Sequence, residues 1–301
     1  MVANPSMERS ALFVAILRQR LVSLLAAMPS AQLGDETSVH QARVASRRLR
    51  GALPMLSARA DADALDRVDR RVRRITRALG PVRELDVALL LLSELESRGA
   101  AAVTAIGRVR AAVTAERLKC RRDMLDEITP ARLNKLRKRL VDVAAPRRSA
   151  IEPGDTLLAA AARSGSHACK LRAAIERAGG IYLPERLHRV RIEAKKLRYA
   201  LEVQRELAHS RSRAHLGRLK IQQDLLGRMH DLEMLIDRAR AVQSVLAGRN
   251  RRGVSELDAL IRRLEEECRE RHASYLQTRP ALLKLCDAVT AAAGQSCSNA
   301  A

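Results

Sequence analysis

Apolar residues recur every three to four positions along most of the chain, and no run alternates in the manner of a half-buried strand. The pattern predicts about ten helices joined by short turns. The first covers residues 8–28 and ends at Pro29. The next starts at Val39 with Ser38 as its cap, meets Pro54 and is spent by about residue 60. Helical periodicity then runs over 61–79, breaks at Gly80-Pro81, and resumes over 82–96. Residues 98–127 follow, and Thr129-Pro130 marks a new start with proline at the first helical position. Residues 144–154 hold two Pro, one Gly and the pair Arg147-Arg148, the best linker in the chain. They separate two halves, 1–148 and 149–301. The second half reads as helices over 155–178, 184–209, 212–226, 232–245 and 257–275, a basic turn at 249–252, and a last short helix from Pro280 to about 291.

The halves repeat. Residues 39–53, VHQARVASRRLRGAL, return at 187–201 as LHRVRIEAKKLRYAL, at an offset of 148. A second block, Leu79, Gly80, Glu84, Leu85 and Asp86, returns at an offset of 147 as Leu226, Gly227, Asp231, Leu232 and Glu233. On a helix at about 100° per residue, with His40 at zero, Arg47, Arg43 and Arg50 fall between about 280° and 340°. Ala42, Ala45, Leu49 and Leu53 fall opposite. In the second copy His188, Arg191, Lys195 and Arg198 form the cationic row, while Arg48 and Lys196 lie near its edge. Like charges at i, i+3 and i+4 cost helix stability, and no acid interleaves either row. An arrangement of that cost, built twice, points to an external polyanion. A solvated basic face is the bland alternative.

Composition supports this reading. The 301 residues carry a formal charge of +22, with a pI near 11.1, so the field attracts polyanions. Apolar residues make up 47%, enough for a core. Three Tyr, one Phe and no Trp leave little to stack on nucleic-acid bases. Five widely spaced Cys with no CxxC pair suit reduced thiols in a cytosolic setting. The apolar run near residues 11–16, broken by Arg9, Arg18 and Arg20, reads as an internal helix, with no secretory leader and no membrane span expected.

No metalloprotease, nucleophile-elbow, phosphate-loop or dinucleotide signature occurs. His40 and His188 sit among cations that lower an imidazole's pKa, which suits hydrogen bonding to phosphate better than zinc binding. Glu84, Asp86, Asp231 and Glu233 recur at matched places. Metal binding by them is weighed against ion pairs that hold arginines in register, and the pairs are preferred. No catalytic residue, cofactor or metal ligand is expected.

At these residues the chain resembles the CHAD family, the conserved histidine alpha-helical domain. The family's His-x-x-Arg-x-x-x-Arg-x-Leu-Arg stands here as His40, Arg43, Arg47, Leu49 and Arg50, with the usual extra Arg48. Its second-half pattern stands as His188, Arg191, Ile192, Lys195, Lys196, Leu197, Arg198 and Tyr199, with Glu202 beyond. Residues 79–86 and 226–231 resemble its Leu-Gly-x-x-x-Asp segments, with Glu84 where Asp is usual. The likeness spans about residues 8–290. It implies an all-α fold of two pseudo-symmetric four-helix bundles, with a basic groove or channel that binds inorganic polyphosphate. It also implies a stand-alone, non-catalytic module at cytoplasmic polyphosphate granules, with granule proteins as candidate partners. The expected binding set is His40, Arg43, Arg47, Arg48, Arg50, His188, Arg191, Lys195, Lys196 and Arg198, extended by Arg74, Arg77, Arg83, Arg218 and Lys220. Nucleic-acid binding is the rival reading, and a metal-dependent polyphosphate or triphosphate hydrolase the third.

Overall fold

A computed structural model describes residues 5–56, 61–99, 103–145, 154–208 and 214–298. They form α1 (Pro5–Leu33), α2 (Glu36–Ala52), α3 (Ala62–Ser97), α4 (Val103–Glu127), α5 (Pro130–Ala144), α6 (Gly154–Ala178), α7 (Pro184–Ala208), α8 (Ala214–Leu246) and α9 (Arg251–Ser298), with a 3₁₀ turn at Leu53–Leu56. Among the described residues there is no strand. The expected linker falls largely on residues 146–153, outside the described set.

The helices run longer than local rules predict. α1 passes Pro29 and stops at Leu33, because Met28 and Ala31 are buried and hold the last turn on the core. Its end is a Schellman motif at Gly34, φ 98°, in which Asp35 N–H donates to the Ser30 carbonyl and Gly34 N–H to that of Ala31. The cap of α2 is Asp35, not Ser38. Its carboxylate accepts from Ser38 N–H at 2.7 Å, so the helix starts three residues earlier than expected, at Glu36. Pro54 turns the chain into the 3₁₀ segment that buries Leu53, Met55 and Leu56. α3 continues through Gly80-Pro81, where Leu79, Gly80, Val82 and Leu85 are all buried.

Thr129 caps α5 with Pro130 at its first position, as expected. The matching Pro280 starts no helix. The residue before it is Arg279, which cannot cap, and buried Tyr275, Leu282, Leu285 and Cys286 carry one face across it. α9 also takes in Arg251 and Arg252 of the expected basic turn and is capped by Asn250, whose Oδ1 accepts from Gly253 N–H.

Three apolar clusters hold the fold. One joins α1, α2, the first half of α3 and α5 to Val203 and Leu207 of α7, around Phe13. A second joins α6, α7, the start of α8 and the end of α9 around Tyr275. The third is built from both halves, by the later turns of α3 and α8 with α4 and α9. The stretch Ala11–Leu33 of α1 has the length and hydropathy of a membrane span, more than the early arginines suggest. Its Phe13, Leu17, Leu24 and Met28 are nonetheless buried against neighbouring helices.

The repeated helices α2 and α7 meet face to face. At Gly51 a Cβ would lie 3.1 Å from the Tyr199 Cβ. Tyr199 is Gly51's own counterpart at the offset of 148. Arg47 and Lys195, and Arg43 and Arg191, are likewise matched pairs close enough to repel one another. Positions that meet their own counterparts lie along a pseudo-twofold axis.

Candidate functional site

Each signature helix is fastened to the helix after it. Ser46 of α2 and Thr76 of α3 are buried with their hydroxyls 3.0 Å apart. At the matched place Gln223 of α8 donates to the Ala194 carbonyl of α7 at 2.9 Å. One turn away from each tie an arginine is laid onto a glycine. Arg43 lies against Gly80, donates to the Thr76 carbonyl at 3.3 Å and pairs with Glu84 at 3.4 Å. Arg191 lies against Gly227 and pairs with Asp231 at 3.9 Å. Of the four acids that the sequence singled out, Glu84 and Asp231 thus orient arginines from the neighbouring helix.

Between these two clamps the cations converge. His40 faces Arg83, Arg43, Arg47 and, from the other half, Lys195. The Arg83 charge also acts on Asp231 of the other half. Lys195 is half-buried beside Arg191, Arg47 and Arg43, and desolvation first, then those guanidinium groups, pushes it down to about 6. Burial and neighbouring cations also lower His40 and His188. Arg43 falls to about 10, chiefly through burial. Asp231 is raised by burial in spite of Arg191. Five cations, Arg43, Arg47, Arg83, Arg191 and Lys195, therefore share a space with two carboxylates, Glu84 and Asp231.

One member escaped the sequence reading. His230 of α8 sits with its Nδ1 3.2 Å from the His188 Nδ1, so one ring donates and the other accepts. Burial, Arg191 and His188 bring it down to about 3. At the offset of 147 its counterpart is Arg83. The first half thus uses a permanent charge where the second uses an imidazole.

Other expected residues lie elsewhere. Arg48 points away from the cradle to pair with Glu202 at 3.0 Å, and Arg198 pairs with the same carboxylate at 3.6 Å while lying over the Tyr199 ring. Both line an adjoining cleft of about 1300 Å³ between α1, α2, α7 and α8, which Lys220 and His40 also border. Lys196 pairs with Glu193 at 2.9 Å and turns towards His167 on α6. Arg50 stands at the rim, 3.7 Å from Asp69. Arg74, Arg77 and Arg218 are exposed beyond it.

A duplicated, all-helical frame holding a two-sided cationic cradle is the class of protein defined here. The sequence model of the CHAD domain matches residues 15–240, and the chain belongs to that family. Among solved structures, PptA from Streptomyces chartreusis matches with a TM-score of 0.66 and 17% identity, over 89% of this chain and 98% of its own. The CHAD domain from the plant Ricinus communis matches with a TM-score of 0.56 and 22% identity, over 95% and 91%. These are likenesses of fold. No curated protein matches the sequence.

The glycine clamp makes a separable prediction. In Gly80→Ala the new Cβ would stand 2.7 Å from Arg43 Nη1, the free end of a long side chain. Arg43 should swing out while the helix holds, so stability should stay within about 1 kcal/mol as multivalent-anion affinity drops. At Gly227 the nearest Arg191 atom is 3.9 Å away, and Gly227→Ala should change affinity little. Thermal melts beside anion titrations of the two variants check this.

Proposed function

We propose that the cradle binds inorganic polyphosphate, and that the two halves, 1–148 and 149–301, act as one binding unit without catalysis. The observation that carries this is the meeting of two copies of one basic helix, with excess cations and only two carboxylates, each already paired with an arginine. A thin, flexible chain of oxyanions supplies the missing charge from between the helices. Arg43 and Arg191 are pre-oriented forks, Arg47 and Arg83 add permanent charge, and Lys195 acts as a point charge once protonated. The imidazoles of His40, His188 and His230 contribute N–H donors. Tyr199 is buried beneath Arg198 and offers no face for a base, which favours polyphosphate over nucleic acid. Pairing of Glu84 and Asp231 with arginines favours binding over metal-assisted hydrolysis. The same reading places the protein at cytoplasmic polyphosphate granules, to be checked by imaging a tagged chain.

The direct test is titration with polyphosphate of defined lengths at two salt concentrations, with duplex DNA as competitor. The variant to run beside it is Arg47→Gln with Lys195→Gln, a matched pair that makes no ion pair with a described residue, so the fold should survive. Losing two charged hydrogen-bonding groups at about 1.5–3 kcal/mol each should weaken binding about 100-fold or more. Unchanged affinity, or equal affinity for DNA, would overturn the proposal. Divalent-dependent phosphate release would restore the hydrolase reading.

A further inference from the structure

The cations do not stop at the rim of the cradle. Arg50, the last member of the α2 row, stands beside Arg47 and beside Arg73 and Arg77 of α3. From there α3 presents Arg77 and Arg74, both exposed, and then Arg71, which meets Arg74 on its own helix and Arg139 and Arg132 on α5. Arg132, Lys135 and Arg139 fall within about 60° of one another around α5 and flank the stripe of buried Leu136 and Leu140. Arg67, Arg70 and Arg73 are tied to aspartates and Arg132 to Glu127. Arg71, Arg74, Arg77, Lys135 and Arg139 form no ion pair with any described residue, and Arg71 Nε is buried without a partner.

This edge is not a by-product of the duplication. At the offset of 147 Arg71 returns as Arg218, but Arg74 and Arg77, the members nearer the cradle, become Ile221 and Asp224. The stretch of α9 after Pro280, the counterpart of α5, carries Lys284 and Asp287 as its only charged residues. The cradle is two-sided, but the edge that leaves it is one-sided. No aromatic residue occurs in 61–81 or 129–145, so the edge suits a ligand recognised by its charged backbone alone.

We infer that the edge running from Arg50 over Arg77, Arg74 and Arg71 to Arg139 and Lys135 is an exit track, along which a polyphosphate chain seated in the cradle continues over the first half only. The inference rests on the polyphosphate reading and adds a selection for long chains to it. From Arg77 to Arg71 is about 9 Å along α3, and from Arg139 to Lys135 about 6 Å along α5. A chain must outreach the cradle by roughly the sum, about 15 Å, before the full track is engaged. Each further cation engaged in the same event raises affinity and steepens its salt dependence.

The test compares the full chain with the triple variant Arg74→Gln, Lys135→Gln, Arg139→Gln, using tripolyphosphate, long-chain polyphosphate and duplex DNA at two salt concentrations. Long-chain affinity is expected to fall about tenfold or more, with the salt slope shallower by about two, while tripolyphosphate affinity is unchanged. The charge-preserving Arg74→Lys, Arg139→Lys variant should keep long-chain binding, and circular dichroism should show equal helicity throughout. Length-dependent binding by the wild type that the triple variant leaves intact would overturn the track and spare the cradle. So would equal losses for both ligands, or a loss confined to duplex DNA, which would make the edge a nucleic-acid surface. No binding of either polyphosphate by the wild type would remove the cradle reading and the track with it.

Discussion

Between about pH 6 and pH 9 the affinity for polyphosphate is expected to fall on the order of 100-fold. In the empty cradle Lys195 is held down at about 6 by burial and by Arg191, Arg47 and Arg43, against an ordinary value of 10.5. His230 lies at about 3, and His40 and His188 are lowered for the same reasons. Oxyanions seated among these groups favour their charged forms, so binding raises their pKa values and takes up protons. Affinity is then highest where uptake is easiest, at low pH. One group moving from about 6 to above 9 would change affinity by up to about 500-fold over this interval, and water in the adjoining cleft will reduce that. The empty fold should show the opposite trend. Its Lys195 binds fewer protons than the unfolded chain between about 6 and 10.5, so stability rises with pH through that window and is lowest below it. Titration calorimetry in two buffers of different ionisation enthalpy counts the protons, and melts of the empty protein give the second trend. Lys195→Arg should flatten the binding profile, because guanidinium holds its proton. A flat wild-type profile with no proton uptake would mean that Lys195 is already charged in the empty cradle.

The two-sided charge that drives this effect was legible in the sequence as the repeat at 148 residues, with His40, Arg43 and Arg47 returning as His188, Arg191 and Lys195. So was the use of Glu84 and Asp231 to hold arginines, since each returns beside a repeated glycine. What was not legible is the inward or outward turn of adjacent cations. Arg47 and Arg48 differ by one residue, but Arg48 is drawn off by Glu202, 154 positions away in the chain. Lys196 is exposed and drawn off by Glu193 on its own helix, while its neighbour Lys195 is half-buried among the cradle's arginines. His230 was hidden because the second block slips to 147, and because its counterpart Arg83 shares its role but not its residue type. The helices that pass Pro29, Pro81 and Pro280 were misread for one reason. Proline removes a single hydrogen bond, whereas the buried faces on both sides of it supply many contacts.

Arg117→Met is expected to cost about 3–5 kcal/mol of folding stability. Arg117 of α4 donates through Nε to Asp86 Oδ1 of α3 at 2.6 Å and through Nη2 to the Gly34 carbonyl at 3.0 Å. Asp86 is wholly buried, and its other oxygen has no partner among the described residues. Removing the guanidinium strands that carboxylate, and a buried charge without its partner costs far more than the pair contributes. The same arginine fixes the turn between α1 and α2, and with it the start of the helix that carries His40 and Arg43. The second half solves the same problem with other chemistry. Glu233, the counterpart of Asp86, accepts from the Tyr182 hydroxyl, and Tyr182 is the counterpart of Gly34 at the offset of 148. Each signature helix is therefore anchored at its entry to one acid on the helix that follows it. Tyr182→Phe should cost only about 1 kcal/mol, because Glu233 is half-buried and water can replace the hydroxyl. Joint replacement of Asp86 and Arg117 by Leu and Met should recover most of the stability lost in the single variant, since no charge is then left buried. Urea unfolding of the four proteins checks the series. A loss below about 1 kcal/mol for Arg117→Met would mean that Asp86 finds another donor, and that the turn before α2 is held mainly by Arg121, which donates to the Gln32 carbonyl at 2.8 Å.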